Sequence, residues 1–231
     1  NFQLLSADYS QIELRIIAHM SGDHNMQEAF RHGLDIHAAT AAKVFNVDIA
    51  AVSREQRSRA KAVNFGIAYG QGAFGLSQNL GIPRAEAKQI IDDYFAQFPG
   101  VRSYMDEMIG FCRTHGYIRT LMGRRRYLPD ITSANNTVRA QAERIAINAP
   151  MQGTAADIIK VAMVNIQREL KQRRLKSKLL LQVHDELVFD AHTSEADELK
   201  ALVRDRMEGA FPLAVPLVVD MGMGKNWLEA H

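Results

Sequence analysis

A chain of 231 residues can bury a core for one or two domains. Its composition, 47% hydrophobic and 23% charged, excludes a disordered or fibrous chain. The net charge of +2 excludes a polyanion-binding surface built on bulk charge alone, so any such footprint lies in how the charge is distributed.

Cys112 is the only cysteine, so no internal disulfide can form, and a reducing cytoplasm suits the chain. No apolar run approaches the ~20 residues of a membrane span, and no basic-then-apolar leader opens the sequence. The chain starts at Asn1, and a strand-like run begins almost at once, which reads as a piece of a longer protein.

Residues 2–8 predict a short buried strand and residues 10–20 a helix, with Ser10 and Glu13 at capping-box spacing. Apolar residues three and four apart predict helices over 35–45, 54–69, 84–97 and 100–114. A hairpin follows over 117–131, closed near Met122-Gly123. Residues 137–148 and 153–172 predict two helices separated near Pro150, whose ring removes a backbone donor. A second hairpin spans 178–184 and 186–192 with its tip at His184-Asp185. A helix over 194–209 and a strand over 215–220 complete an α+β chain.

Two carboxylates stand at strand ends. Asp8 closes the first strand, and Asp185 sits at the second hairpin tip beside Glu186. If the strands are neighbours, both emerge at one sheet edge, and paired carboxylates suit magnesium. Aspartate is also common in turns, so spacing alone leaves a purely structural role open.

Along 54–70, Arg57, Lys61, Phe65 and Tyr69 recur every four residues and share one side of a helix. Cations suit a triphosphate and aromatics a base or sugar. A surface helix with solvated cations and a core-facing Phe65 and Tyr69 fits the same periodicity. Seven arginines lie between Arg113 and Arg144, against two acids, Asp130 and Glu143. Such an excess can track a phosphate backbone or simply face solvent. Asn148 and Gln152 have the donors and acceptors to read sugar or minor-groove base edges, or to serve a turn around Pro150.

Taken together and in order, DYSQIELR (8–15), RSRAKAVNFGIAYG (57–70), RIAINAPMQGTAADIIK (144–160) and QVHDELVF (182–189) strongly resemble the signature motifs of family A DNA polymerases of the bacterial polymerase I type. DIHAATAAKVF (35–45), FPGVRSYM (98–105) and GRRRYLPDI (123–131) extend the resemblance from end to end.

The resemblance implies a right-hand fold. The palm, an antiparallel sheet with helices, would comprise residues 1–23 and 131–231, and the mostly helical fingers residues 24–130. The family's thumb has no counterpart in the sequence, which implies a palm-and-fingers portion of a longer, monomeric polymerase whose fragment alone extends primers poorly.

The implied activity is template-directed DNA synthesis with two Mg2+ ions, for which Mn2+ can substitute, on primer–template DNA and dNTPs. The implied setting is the bacterial cytoplasm at the nucleoid, with no membrane partner. Asp8, Asp185 and the Tyr9 carbonyl are the implied metal ligands, and Glu186 is the adjacent catalytic acid. Lys61 is implied as general acid toward pyrophosphate and, with Arg57 and His37, as a triphosphate contact.

Glu13 corresponds to the steric gate against a ribose 2′-hydroxyl, and Gln11 to a neighbouring substrate contact. Phe65 would lie against the incoming sugar and base, which implies poor use of dideoxynucleotides, and Tyr69 would hold the template-side stacking position. Arg144, Asn148, Gln152 and His184 would touch the DNA. Glu13 and Phe65 weigh against an RNA-synthesising relative. A non-catalytic binding module is the remaining competitor.

Overall fold

The computed structural model describes residues 1–231. In chain order the elements are β1 (Phe2–Tyr9), α1 (Ile12–Ser21), α2 (His24–Arg31), α3 (Ile36–Val44), α4 (Arg54–Ala68), α5 (Ala73–Leu80), α6 (Arg84–Gln97), α7 (Pro99–His115), β2 (Tyr117–Arg119), β3 (Arg125–Tyr127), α8 (Asn136–Gln172), β4 (Lys178–Val183), β5 (Glu186–His192), α9 (Ala196–Glu208), β6 (Val219–Gly224) and α10 (Trp227–Ala230). They group into two compact units, one of residues 1–13 with 154–231 and one of residues 14–153. These bounds differ from the 23/24 and 130/131 bounds expected from the motifs.

The first unit is built on a four-stranded sheet ordered β4-β5-β1-β6, antiparallel throughout. Side chains alternate across it. Leu5, Ala7 and Tyr9 of β1 and Leu187, Phe189 and Ala191 of β5 are buried. They lie on the face covered by α9, where the Tyr9 hydroxyl donates to the Met207 carbonyl at 2.7 Å. The opposite face carries Ser6, Asp8, Glu186 and Val188, and α10 packs on it along β6 and β1. Burial of one whole face pins the register, because a slip of one residue would turn Asp8 into the apolar layer.

The second unit is helical apart from the β2–β3 hairpin. Asp23, 3% exposed, joins two of its helices. The carboxylate caps α2 by accepting from the Met26 N–H at 2.9 Å and satisfies the Gly100 N–H in the first turn of α7 at 2.8 Å. The approach is close, since a Cβ on Gly100 would lie 2.9 Å from the Asp23 Cα.

The structure revises several sequence expectations. α8 runs unbroken through Pro150. The ring costs the helix one hydrogen bond, but Ala146, Ile147, Ala149 and Met151 are all buried, and packing outweighs that loss. α1 begins at Ile12 rather than residue 10, because the Ser10 N–H extends the sheet by donating to the Val218 carbonyl at 2.8 Å and Gln11 is left-handed (φ 55°). The last strand is Val219–Gly224, not 215–220. α2, α5 and α10 were not anticipated; each is only eight residues or fewer, too short to show a strong period.

Asp23→Ala removes both acceptors at once and is expected to destabilise the protein by about 2–3 kcal/mol. Asp23→Asn keeps an acceptor oxygen and is expected to cost roughly half as much. Urea denaturation of the two variants checks the difference.

Candidate active site

Asp8 is the middle residue of a row. In the β1 register it stands opposite Glu186 of β5 on one side and Asp220 of β6 on the other, so three carboxylates share one face at one end of the sheet. Asp185 belongs to the two-residue turn that joins β4 to β5, and its carbonyl accepts from the Tyr9 N–H at 3.2 Å, which ties the turn to the end of β1. The first expectation is thereby met: two aspartates 177 positions apart come together at one sheet edge. The backbone is unusual on both sides of the pair. Gln11 and His184 both adopt left-handed conformations (φ 55° and 54°) that non-glycine residues rarely take.

The electrostatics follow from that crowding. Burial, then the charges of Asp185 and Glu186, push the Asp8 carboxyl up to about 6. Its Oδ1 is buried with no hydrogen-bond partner. A partnerless anionic oxygen among other carboxylates fits a divalent cation with hard oxygen ligands. No group of three or more His, Cys, Asp or Glu side chains is arranged to hold a metal. An open two-carboxylate site of this kind leaves the remaining positions to water and substrate.

Glu186 differs from its neighbours. It is 4% exposed, and its Oε1 accepts from Ser6 Oγ at 2.6 Å and Trp227 Nε1 at 2.8 Å. The Tyr9 side chain is committed to the core, so its backbone carbonyl is the only group it has left for a cation. Gln11, Glu13 and Asp185 are half-buried and His184 is exposed.

The second unit presents the other set of residues. α4 starts with a capping box between Ser53 and Gln56. It buries Ala60, Val63, Asn64, Ile67 and Ala68, so Arg57 and Lys61 point outward and Phe65 and Tyr69 are half-buried. The expected stripe is therefore an accessible face. Lys61 Nζ lies 6.0 Å from the Phe65 ring centre, and the Phe65 and Tyr69 rings are 5.9 Å apart. The helix closes with Gly70 left-handed (φ 72°) and the Gln71 N–H on the Gly66 carbonyl at 2.9 Å, a Schellman stop.

Arg57 Nε donates to Asp35 Oδ2 at 2.5 Å, and the Arg57 side chain is 45% exposed. Asp35 also caps α3 through the N–H groups of His37 and Ala38. Burial, and after it the positive charges of Arg57 and Lys61, lower His37 to about 4 against an opposing pull from Asp35, so the ring is neutral near pH 7. Asn64 fixes its tautomer. The Asn64 amide oxygen accepts from Thr40 Oγ1 at 2.8 Å, so its NH2 faces His37 Nδ1 at 2.9 Å. The proton then sits on His37 Nε2, a buried donor with no partner.

Sequence reading missed Asn64, Thr40, Asp35, Ser6 and Trp227. The one signal available was Asn64 itself, a polar residue at a core position of an otherwise regular helix.

Arg144, Asn148 and Gln152 follow one face of α8 at four-residue spacing, and Arg144 and Gln152 are exposed. Asn148 Nδ2 donates to the Tyr69 carbonyl at 3.2 Å, while its Oδ1 is buried without a partner. Part of the arginine-rich stretch serves the fold instead. Arg113 pairs with Glu143, Arg124 donates to the Gly153 carbonyl, Arg139 donates to the Ser133 carbonyl, and Arg119 and Arg125 lie over the Phe111 and Tyr117 rings.

Residues 1–229 match the family model described as DNA polymerase family A. The chain is 53% identical over 228 residues to DNA polymerase I of Lactococcus lactis subsp. lactis (strain IL1403), which covers 98% of the chain and 26% of that protein. It is 54% identical over 229 residues to DNA polymerase I of Chloroflexus aurantiacus, covering 99% and 24%. The chain thus spans about a quarter of the length of the curated relatives it matches. A solved structure, the POL domain of Pol1 from M. smegmatis in complex with DNA primer-template and dNTP, superposes with a TM-score of 0.95 at 50% identity, over 99% of this chain and 40% of that one. With a sheet that gathers strand-end aspartates, a basic and aromatic helix face, and a family model matched almost from end to end, the chain belongs to DNA polymerase family A.

Proposed function

We propose that the chain is the nucleotidyl-transfer part of a DNA-directed DNA polymerase, which adds deoxynucleotides from dNTPs to a primer 3′-hydroxyl. Residues 1–23 and 131–231 form the palm and residues 24–130 the fingers. The observation that carries this reading is the convergence of Asp8 and Asp185 at one sheet edge, with a buried Asp8 oxygen that has no protein partner. Family membership and the partners named for the M. smegmatis domain support it.

Asp8, Asp185 and the Tyr9 carbonyl would hold two Mg2+ ions, with Mn2+ able to substitute. Such ions supply Lewis-acid chemistry, lowering the pKa of an attacking hydroxyl and neutralising a leaving pyrophosphate. The protein's own groups do the rest. The Arg57 guanidinium and the Lys61 ammonium supply donors to a triphosphate, with His37 beside them, and Lys61 can return a proton to pyrophosphate. Phe65 offers its ring to the incoming sugar and base, and Tyr69 offers a stacking surface to the template.

Glu13, with Gln11 beside it, crowds the ribose 2′ position. Arg144, Asn148, Gln152 and His184 contact primer–template DNA. The protein would act as a monomer in the bacterial cytoplasm, at the nucleoid. No helix is long and apolar enough to cross a membrane.

Asp185→Ala in the protein that carries this chain is expected to lower single-nucleotide insertion by about a thousandfold or more while primer–template binding stays within about threefold. Insertion at the normal rate would refute a catalytic role and leave a binding module. Glu13→Ala is expected to raise ribonucleotide insertion relative to deoxynucleotide insertion by about a hundredfold; unchanged discrimination would remove Glu13 as the gate.

A further inference from the structure

Glu186 stands beside Asp185 in sequence and opposite Asp8 in the sheet, yet it is 4% exposed. A carboxylate buried among other carboxylates is held there only by strong hydrogen bonding. Ser6 Oγ at 2.6 Å and Trp227 Nε1 at 2.8 Å both donate to its Oε1, and His231 Nδ1 lies 3.7 Å away. Ser6 is two residues before Asp8 on the same strand face, while Trp227 comes from outside the sheet.

The segment that delivers Trp227 is built for close docking. A Cβ at Gly222 would lie 2.2 Å from the Ala230 carbonyl oxygen, and one at Gly224 would lie 2.4 Å from Glu229 Cβ, so α10 sits directly on the glycine backbone of β6. The turn into α10 is fixed by Glu229, which accepts from the Lys225 N–H at 2.9 Å and Asn226 Nδ2 at 2.7 Å, while Asn226 Oδ1 accepts from the Glu229 N–H at 3.0 Å. Trp227 remains 46% exposed, so its ring adds only part of its area to the core while its one polar group is committed to Glu186.

We propose that Glu186 is a positioning residue rather than a metal ligand, and that Trp227 and Ser6 hold its carboxylate so that the β1–β5 rung carrying Asp8 is fixed and Asp8 and Asp185 alone face the cation. This rests on the polymerase reading above. It makes the segment from Lys225 to His231 a working part of the catalytic end of the sheet.

The test uses Trp227→Phe, which keeps an aromatic ring of smaller size and loses the N–H, together with Ser6→Ala, Glu186→Gln and Asp185→Ala in the protein that carries this chain. Single-turnover nucleotide insertion and Mn2+ binding without DNA or nucleotide, followed by electron paramagnetic resonance, are measured for each. Trp227→Phe is expected to lower kcat about tenfold, with KM for dNTP and primer–template affinity within about twofold. Combining it with Ser6→Ala should add less than the two single effects multiplied. Glu186→Gln, which still offers an oxygen to both donors, should keep most of the Mn2+ affinity that Asp185→Ala loses.

A Trp227→Phe variant with normal kcat overturns the proposal. So does a Glu186→Gln variant that loses Mn2+ as completely as Asp185→Ala, because Glu186 is then a ligand. Since Asp185→Ala alone probes the polymerase reading, a silent Trp227→Phe beside an inactive Asp185→Ala sinks the positioning role only.

Discussion

Like-charge crowding at one end of the β4-β5-β1-β6 sheet is the constraint on which the site depends. Asp8, Glu186 and Asp220 occupy one row, and Asp185 stands at the adjoining turn. Such an arrangement is unfavourable by itself, and the sheet supports it from its other face. Leu5, Ala7, Tyr9, Leu187 and Phe189 are sealed against α9, and the alternation of a strand then leaves Asp8 and Glu186 no choice of side. The apolar layer thus places the charges, and the repulsion it imposes is what makes a cation favourable there.

The same division of labour holds on α4. Its buried face is apolar except for Asn64, which is 0% exposed and would be costly without partners. Thr40 and His37 supply them. The consequence passes to the next side chain, because an Asn64 amide oriented by Thr40 compels His37 to carry its proton on Nε2. A core hydrogen bond therefore decides which atom of a neighbouring side chain can act as a donor. Arg57 is handled similarly: Asp35 takes Nε and leaves the fork available.

Much of this was legible in the sequence, and the limits have physical causes. The strand carrying Asp8, the hairpin with Asp185 at its tip and the α4 stripe declared themselves through short apolar runs and four-residue spacing, which are local properties. Pro150 misled because its local cost is real but smaller than the burial of the residues around it. The start of α1 was read two residues early because a strand-to-helix junction offered the Ser10 N–H a sheet partner, Val218, some two hundred residues away. The partners of Asn64 and Glu186 were illegible for the same reason. A hydrogen bond between Trp227 and Glu186 leaves no period in either segment.

Gly222 and Gly224 illustrate what sequence reading undervalues. In isolation they weaken a strand, since glycine gives up backbone entropy and packs no side chain. In the sheet their missing side chains are the feature that matters, because α10 occupies the volume a Cβ would need. Bare backbone on β6 admits α10, α10 carries Trp227, and the indole reaches a carboxylate on β5, two strands away across β1. The different fates of the adjacent acids Asp185 and Glu186 follow from position alone. The turn leaves Asp185 half-exposed, whereas the first strand residue is forced under the α10 segment and must be hydrogen-bonded by donors there.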